Sequence, residues 1–214
     1  MRAPARRVTD LSRLSRPASG AGVGGWGLLL ALSACAPPPK APPTSAVAAT
    51  KIDAPEGAVL AAACTPTGPE LCFNAVDDNC NGVIDEGCGV GTGVLQFTIA
   101  WAESAADVDL VVTDPSGARP TRDHPVTSSG LRLDRDCPRP KETETCGGQN
   151  TENVYFEGLE PPRGRYKVDV RLEEPYGARL PLSVQLSARI GAHTYTWELA
   201  LKEKDDHKTF EFTL

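Results

Sequence analysis

Apolar side chains recur at every second position through most of residues 92–214, and this alternation constrains the fold more than any other feature. Six segments carry it: LQFTIAW, DVDLVVT, YKVDVRL, LPLSVQLSA, HTYTWELAL and the closing FEFTL. Half-buried β-strands produce a period of two. Turn sequences such as DPSG, PPRG and EPYG separate the segments, and no stretch has a helical period. About eight strands in about 120 residues predict an all-β antiparallel sandwich.

The N-terminal segment has the composition of an export signal. Five arginines and one aspartate precede the apolar run GWGLLLALSA, which is too short to span a bilayer. The run ends in L-S-A-C, which resembles the lipobox of bacterial lipoproteins. The resemblance implies that residues 1–34 are a signal peptide, that Cys35 is lipidated, and that the anchor lies in the outer membrane because Ala36 is not aspartate. An ordinary signal peptide cleaved elsewhere is the alternative.

Charge and composition characterise the chain beyond the signal. The chain has 22 basic and 28 acidic residues, and removing the five arginines and one aspartate of the signal leaves 17 against 27, a net charge of −10. Such a charge disfavours nucleic acid and favours cations. Residues 35–63 are rich in Pro and Ala without apolar periodicity, which predicts a disordered tether. A Cys-rich segment, residues 64–90, then precedes the sandwich of residues 92–214.

Six cysteines remain after the lipidated one, and an even number in an exported chain predicts three disulfides. They are Cys64, Cys72, Cys80, Cys88, Cys137 and Cys146. The first four are separated by seven residues each, and the three ways of pairing them stay open. The last two lie far from the others and are predicted to pair together. Export and the long spacings disfavour a four-cysteine zinc site.

The stretch DDNCNGVIDEGC, residues 77–88, places oxygen-bearing groups at alternate positions around Gly82. Calcium takes six to eight oxygen ligands, and a glycine permits the sharp turn of a calcium loop. The predicted ligands are Asp77, Asn79, Asn81, the main-chain carbonyl of Val83, Asp85 and Glu86. The final position, where a bidentate glutamate is expected, is Cys88, so Asp78 or Glu86 must substitute. A disulfide-held polar loop without an ion is the alternative.

Two family resemblances accompany these patterns. CTPTGPELCFNAVDDNCNGVIDEGC resembles the metal-binding motif of MopE-like secreted bacterial proteins through "ELC", "DDNCNG" and "IDEGC". That resemblance implies a metal site in this segment. AADVDLVVTDPSGARP, GLRLDRDC, TENVYFEG and RGRYKVDVRL resemble the YfaP family of bacterial envelope proteins over roughly residues 93–175. The second resemblance implies an immunoglobulin-like sandwich and supplies no activity.

Five carboxylates at predicted strand starts form a second candidate calcium site. They are Asp107, Asp109, Asp134, Asp136 and Glu152. Carboxylates two residues apart on one side of a strand repel each other unless a cation or a hydrogen-bond donor intervenes. We predict that the five converge at one end of the sandwich. Turn-capping and solvated carboxylates, paired with Arg132 or Arg135, are the alternative.

The sequence carries no catalytic motif. Its three histidines are scattered, and it has no G-x-S-x-G, no H-E-x-x-H and no phosphate-binding glycine loop. We therefore predict a non-enzymatic, calcium-binding envelope lipoprotein, membrane-anchored through its N-terminal lipid. Its sandwich would serve envelope structure or bind an envelope or extracellular protein. The alternatives are a carbohydrate-binding module using Tyr155, Tyr176 and Trp197, and an accessory subunit of an envelope enzyme.

Overall fold

A computed structural model of the chain describes residues 47–102, 106–136 and 149–214. The strands of this part are β1 (Lys51–Asp53), β2 (Val59–Leu60), β3 (Leu95–Trp101), β4 (Asp107–Thr113), β5 (Leu131–Arg135), β6 (Thr151–Phe156), β7 (Arg165–Glu174), β8 (Leu182–Ile190), β9 (His193–Leu201) and β10 (His207–Thr213). No helix within these ranges is long and apolar enough to cross a membrane.

The strands form two antiparallel sheets. The smaller sheet has the order β1-β10-β7-β4, and the larger has the order β2-β9-β8-β3-β6-β5. In β4 and β7 buried residues alternate with more exposed ones, which is the burial that the period of two in the sequence indicates. The predicted all-β sandwich is confirmed.

Aromatic side chains fill the core between the sheets. The ring of Phe212 lies 5.2 Å from that of Phe97, and the ring of Trp197 lies 5.1 Å from that of Phe210. Trp197 is only 3 % exposed, so its large apolar surface stabilises the sandwich. Of the three aromatic residues considered for sugar binding, Trp197 therefore belongs to the core.

Tyr166 fixes the corner at which β7 begins. Its side chain is buried, and its hydroxyl donates a hydrogen bond to the carbonyl oxygen of Pro162 at 2.8 Å. Burial, reinforced by the nearby charge of Asp114, raises the pKa of Tyr166. A tyrosine that bonds back to the chain a few residues upstream is a feature of immunoglobulin-like sandwiches.

The second half of the predicted tether is ordered, which differs from the sequence prediction. β1 pairs with β10, with Ile52 opposite Phe212, and β2 pairs with β9. Strands of two or three residues are too short to show a period of two, and main-chain hydrogen bonds to the edges of the sheets order them. The signal peptide, Cys35 and the rest of the tether up to residue 46 lie outside the described residues.

The Cys-rich segment packs on the outer face of the larger sheet. Four polar residues of that face are completely buried: Gln96, Thr98, Asn153 and Ser187. The amide nitrogen of Gln96 donates to the carbonyl oxygen of Ile84 at 3.1 Å, and the hydroxyl of Ser187 donates to that of Ala75. Ala75 and Ile84 are themselves fully buried. The segment and the sheet therefore share an interface in which buried polar groups pair with one another, while the side-chain oxygen of Gln96 has no hydrogen-bond partner within the described residues.

Candidate metal sites

Two crossed disulfides hold the Cys-rich segment together. The bonds are Cys64–Cys80 and Cys72–Cys88, with Cα–Cα distances of 5.8 and 5.3 Å. Of the three ways of pairing these four cysteines that the sequence leaves open, the structure has the one in which the first cysteine bonds to the third and the second bonds to the fourth. Each bond joins residues 16 positions apart and stabilises the fold by about 3 kcal/mol in the chain-entropy account. The predicted Cys137–Cys146 bond lies outside the described residues.

Asp85, predicted as a calcium ligand, holds an inner turn of the segment. Its side chain is fully buried. One carboxylate oxygen accepts hydrogen bonds from the N–H groups of Phe73 at 2.8 Å and Asn74 at 3.4 Å, and the other accepts from Ala75 at 3.1 Å. Burial raises the pKa of Asp85, although these N–H groups act in the opposite direction. The carboxylate is thus committed to main-chain amides.

Asp77 and Asp78 also accept hydrogen bonds from their own segment. The two oxygens of Asp77 accept from the N–H groups of Asn81 at 3.0 Å and Gly82 at 2.8 Å. Gly82 has a φ of 86°, a left-handed conformation that glycine adopts without strain. Asp78 accepts from the N–H of Leu71 at 3.1 Å. Asp77 therefore closes the turn around Gly82, whereas Asp78 ties that turn to the first half of the segment.

Three of the predicted ligands meet at one point. The side-chain amide nitrogens of Asn79 and Asn81 both donate to the same oxygen of Glu86, Oε1, and the bond from Asn79 is 2.6 Å long. Val83 lies beside this point, since its N–H donates to the side-chain oxygen of Asn81 at 2.8 Å. An asparagine amide that turns by 180° about its last bond exchanges nitrogen for oxygen. Presenting oxygen to a cation at this point would require both amides to turn, and the bonds that their oxygens accept from the N–H groups of Asn81 at 3.0 Å and Val83 at 2.8 Å would then break.

Glu70 joins this group, although the numbering of the loop left it out. Its Oε1 accepts hydrogen bonds from the N–H groups of Asp78 at 3.4 Å and Asp85 at 3.2 Å. The other oxygens of Glu70 and Glu86, both Oε2, are buried and have no hydrogen-bond partner in the described part of the chain. Burial, followed by the charge of Glu86, raises the pKa of Glu70. The one sequence signal for this position of Glu70 is the motif "ELC", in which Glu70 lies seven residues before the first residue of the numbered loop, Asp77.

Three of the carboxylates predicted for the second site border one cavity. Asp109, Asp136 and Glu152 line a cavity of about 280 Å³ on the sandwich. Glu152 is 3 % exposed. Burial raises its pKa well above the usual range, and the charges of Asp109, Asp136 and Asp107 raise it further. Three of the other predicted carboxylates, Asp107, Asp109 and Asp136, therefore act on the fourth, Glu152.

The fifth carboxylate, Asp134, lies elsewhere, which corrects the prediction that all five converge. It accepts hydrogen bonds from the N–H of Gly91 at 2.7 Å and the amide of Asn153 at 3.2 Å. The register of β5 against β6 shifts between Leu133 and Arg135. A bulge of this kind breaks the alternation of side chains along a strand, so residues two apart no longer share a face.

Comparison of the chain with protein-family models, curated proteins and solved structures gives no match. The resemblances to MopE-like proteins and to the YfaP family therefore stay predictions. Throughout the residues that the structure describes, no three His, Cys, Asp or Glu side chains form a group able to hold a metal ion. The three carboxylates of the predicted loop site, Asp77, Asp85 and Glu86, therefore do not form such a group, and its other predicted ligands are two asparagines and a main-chain carbonyl.

Proposed function

We propose that the chain is a non-enzymatic, calcium-binding lipoprotein of the bacterial cell envelope, and that its sandwich serves envelope structure or protein–protein interaction. One observation carries the calcium part. Glu70 and Glu86 each leave a buried carboxylate oxygen without a hydrogen-bond partner in the described chain, next to the amides of Asn79 and Asn81. Buried oxygens without partners are costly, and a cation bound by both carboxylates would satisfy them.

The residues fit a hard divalent cation. Carboxylate, amide and carbonyl oxygens are the ligands that calcium prefers. The segment supplies them through Asn79, Asn81, the carbonyl of Val83, Glu86 and Asp77, whose two oxygens also accept main-chain N–H groups. Glu70 adds a carboxylate where Cys88 occupies the last position of the loop. A bound ion would supply positive charge between the two glutamates. The chain itself holds the ligand residues in position, because the disulfides and the hydrogen bonds to Asp85 fix the turns that contain them.

The envelope part of the proposal depends on the sequence. The basic N-terminus, the short apolar run and L-S-A-C support export and lipidation at Cys35. Two disulfides in the Cys-rich segment agree with an oxidising compartment. Calcium is available there at up to millimolar concentrations, the range in which extracellular calcium modules bind. Mass spectrometry of protein from a membrane fraction should find acyl chains on Cys35, and an unmodified cysteine would contradict lipidation.

Calcium titration of the full-length chain, stripped with EDTA, tests the metal site. At a calcium concentration of about 100 times the Kd, binding should stabilise the fold by about 2.7 kcal/mol. That corresponds to a rise in Tm of roughly 5–10 °C. Calorimetry should detect the same binding. Magnesium, which demands a tighter octahedral site, should have a smaller effect.

Matched variants locate the site. Glu86→Gln and Glu70→Gln keep the shape of the side chain and remove one charge each, so both should weaken calcium binding at the loop. Glu160→Gln changes an exposed glutamate and should leave binding unchanged. If wild type gives no calcium heat and the same Tm in calcium and in EDTA, the segment is a disulfide-held loop without an ion.

A further inference from the structure

The turn of the Cys-rich segment contains the only Asn-Gly pair of the chain, Asn81–Gly82. Asn81 is exposed, so water reaches its side chain. The main-chain nitrogen of the residue after an asparagine can attack the side-chain amide carbon and close a cyclic imide. Glycine favours this attack, because it has no Cβ to crowd the nitrogen and leaves the backbone free to bring the two atoms together.

Each atom that would react in Asn81–Gly82 has a suitable hydrogen-bond partner. The N–H of Gly82, which carries the attacking nitrogen, donates to Oδ2 of Asp77 at 2.8 Å. A carboxylate in this position can take the proton as a general base. The other oxygen of Asp77 accepts from the N–H of Asn81 at 3.0 Å, so the carboxylate is held in place.

The amide of Asn81 is held at both ends. Its oxygen accepts a hydrogen bond of 2.8 Å from the N–H of Val83, and this oxygen gains negative charge when a nitrogen adds to the amide carbon. A fixed N–H donor at such an oxygen stabilises that charge. The leaving nitrogen, Nδ2, donates to Oε1 of Glu86. The turn therefore provides an acceptor for the nucleophile's proton and a donor to the amide oxygen.

Asn74 is a natural control within the same segment, because it makes the same three kinds of contact. The N–H of the next residue, Ala75, donates to Oδ2 of Asp85 at 3.1 Å. The side-chain oxygen of Asn74 accepts from a main-chain N–H at 2.9 Å, and its amide nitrogen donates to a carboxylate at 2.9 Å. Ala75 has a Cβ, however, and is fully buried. Crowding and the exclusion of water should therefore keep the amide of Asn74 intact.

We propose that Asn81–Gly82 is a self-modification site at which the folded chain deamidates its own asparagine. The nitrogen of Gly82 bonds to Cγ of Asn81, the bond from Cγ to Nδ2 breaks, and ammonia leaves. The proton of the Gly82 N–H passes to Asp77 and then, through water, to the departing nitrogen. One water molecule opens the imide, at the side-chain carbonyl to give aspartate or at the main-chain carbonyl to give isoaspartate. One water is consumed and one ammonia released, without oxidation or reduction.

The aspartate product changes what the turn presents to Glu86. In Asn81 an oxygen reaches that point only if the amide turns and breaks its bond to Val83. Deamidation puts an oxygen there while the other oxygen keeps the bond to Val83. Two carboxylates then face each other, an arrangement that a cation relieves. This consequence rests on the proposed calcium function, whereas the modification itself does not.

Peptide mass spectrometry of the full-length chain, kept folded in neutral buffer with EDTA, tests the modification. The peptide that contains Asn81 should gain the mass of an amide-to-acid exchange and separate into aspartate and isoaspartate forms, while Asn74 stays unchanged. Asp77→Asn should slow the conversion by about 100-fold. Asp123→Asn, at an exposed aspartate, is the matched control and should convert at the wild-type rate.

The unfolded wild-type chain gives a comparison that needs no variant. In urea with the disulfides reduced, the contacts to Asp77 and Val83 are lost, so Asn81 should convert more slowly than in the folded chain. An Asn81 that keeps its amide when folded, or converts faster when unfolded, would overturn the proposal.

Calcium titration of Asn81→Asp tests the consequence separately. The variant should bind calcium several-fold more tightly than wild type, because it adds a charged ligand. If Asn81 converts but Asn81→Asp binds no more tightly than wild type, the modification stands and its role at the calcium loop is wrong. If neither form binds calcium, the proposed calcium function fails, and the mass spectrometry still decides the modification.

Discussion

Replacing Asp85 by alanine should release the inner turn of the Cys-rich segment. The carboxylate accepts three main-chain N–H groups, from Phe73, Asn74 and Ala75, at 2.8, 3.4 and 3.1 Å. Phe73 and Ala75 have φ values of 66° and 56°, a left-handed conformation that costs non-glycine residues about 1–2 kcal/mol each. Without the acceptor, the strained turn and its buried N–H groups would lack their partner.

The expected magnitude follows from these contacts. A hydrogen bond to a charged acceptor contributes about 1.5–3 kcal/mol, and the two shorter bonds of Asp85 fall in the normal range of length. The bond of 3.4 Å to Asn74 adds little. Burial opposes the charged form of Asp85, since it raises the pKa of this residue, and part of the gain is offset. We therefore expect Asp85→Ala to lower the free energy of unfolding by about 3–5 kcal/mol.

Urea unfolding in EDTA measures this loss, with the disulfides intact and the buried fluorophores Trp101 and Trp197 as reporters. Because EDTA removes calcium, any loss of stability reflects the hydrogen bonds that Asp85 accepts and not the loss of a bound ion. Asp123→Ala, at an exposed aspartate, is the control and should change the free energy of unfolding by less than about 0.5 kcal/mol. If Asp85→Ala unfolds like wild type in EDTA but no longer binds calcium, Asp85 is a ligand, and the anchoring role derived from its hydrogen bonds is wrong.

Three further changes test the sandwich. Gly93→Ala should cost at least about 3 kcal/mol in urea unfolding, because the added Cβ would lie 1.9 Å from the carbonyl oxygen of Phe156; near-wild-type stability would contradict that packing. Tyr166→Phe should cost about 1 kcal/mol, the value of one hydrogen bond, with an unchanged m-value. For Asp114, burial raises the pKa but hydrogen bonds from two serine hydroxyls and from main-chain N–H groups outweigh it, so the pKa is lowered overall. A lowered pKa stabilises the fold above the ordinary carboxyl pKa and loses this effect as the pH falls, so Asp114→Asn should be destabilised at pH 7 and approach wild type in acid.

The sandwich could be predicted because apolar residues alternate with polar ones along its strands in the same way as buried side chains alternate with more exposed ones. In β7 the four side chains Tyr166, Val168, Val170 and Leu172 face the core, and their neighbours are more exposed. The same argument fails for β1 and β2, which are too short for a period to appear. It also fails at Asp134, because the bulge in β5 depends on pairing with β6 and leaves no mark in the local sequence.

The candidate loop site could be predicted only in part, because its turns are set by contacts distant in sequence. The meeting of Asn79, Asn81 and Glu86 follows from their spacing around Gly82. The position of Glu70 does not, since the crossed disulfides and the N–H groups of a later turn bring it there. The role of Asp85 as an acceptor of main-chain hydrogen bonds could likewise not be predicted, because carboxylates that bind calcium and carboxylates that accept main-chain N–H groups have the same sequence pattern.

The outer face of the larger sheet connects the proposed calcium loop to the stability of the whole fold. Alternation predicts that Gln96, Thr98 and Ser187 face solvent, yet all three are buried beneath the Cys-rich segment. A polar interface gains little from apolar burial, so its stability depends on hydrogen bonds such as those to the carbonyls of Ala75 and Ile84. Those carbonyls stay in place only while the turns of the segment hold. An ion that stabilises the turns would therefore also stabilise the sheet beneath them, and calcium should raise the Tm of the sandwich and the segment in one transition.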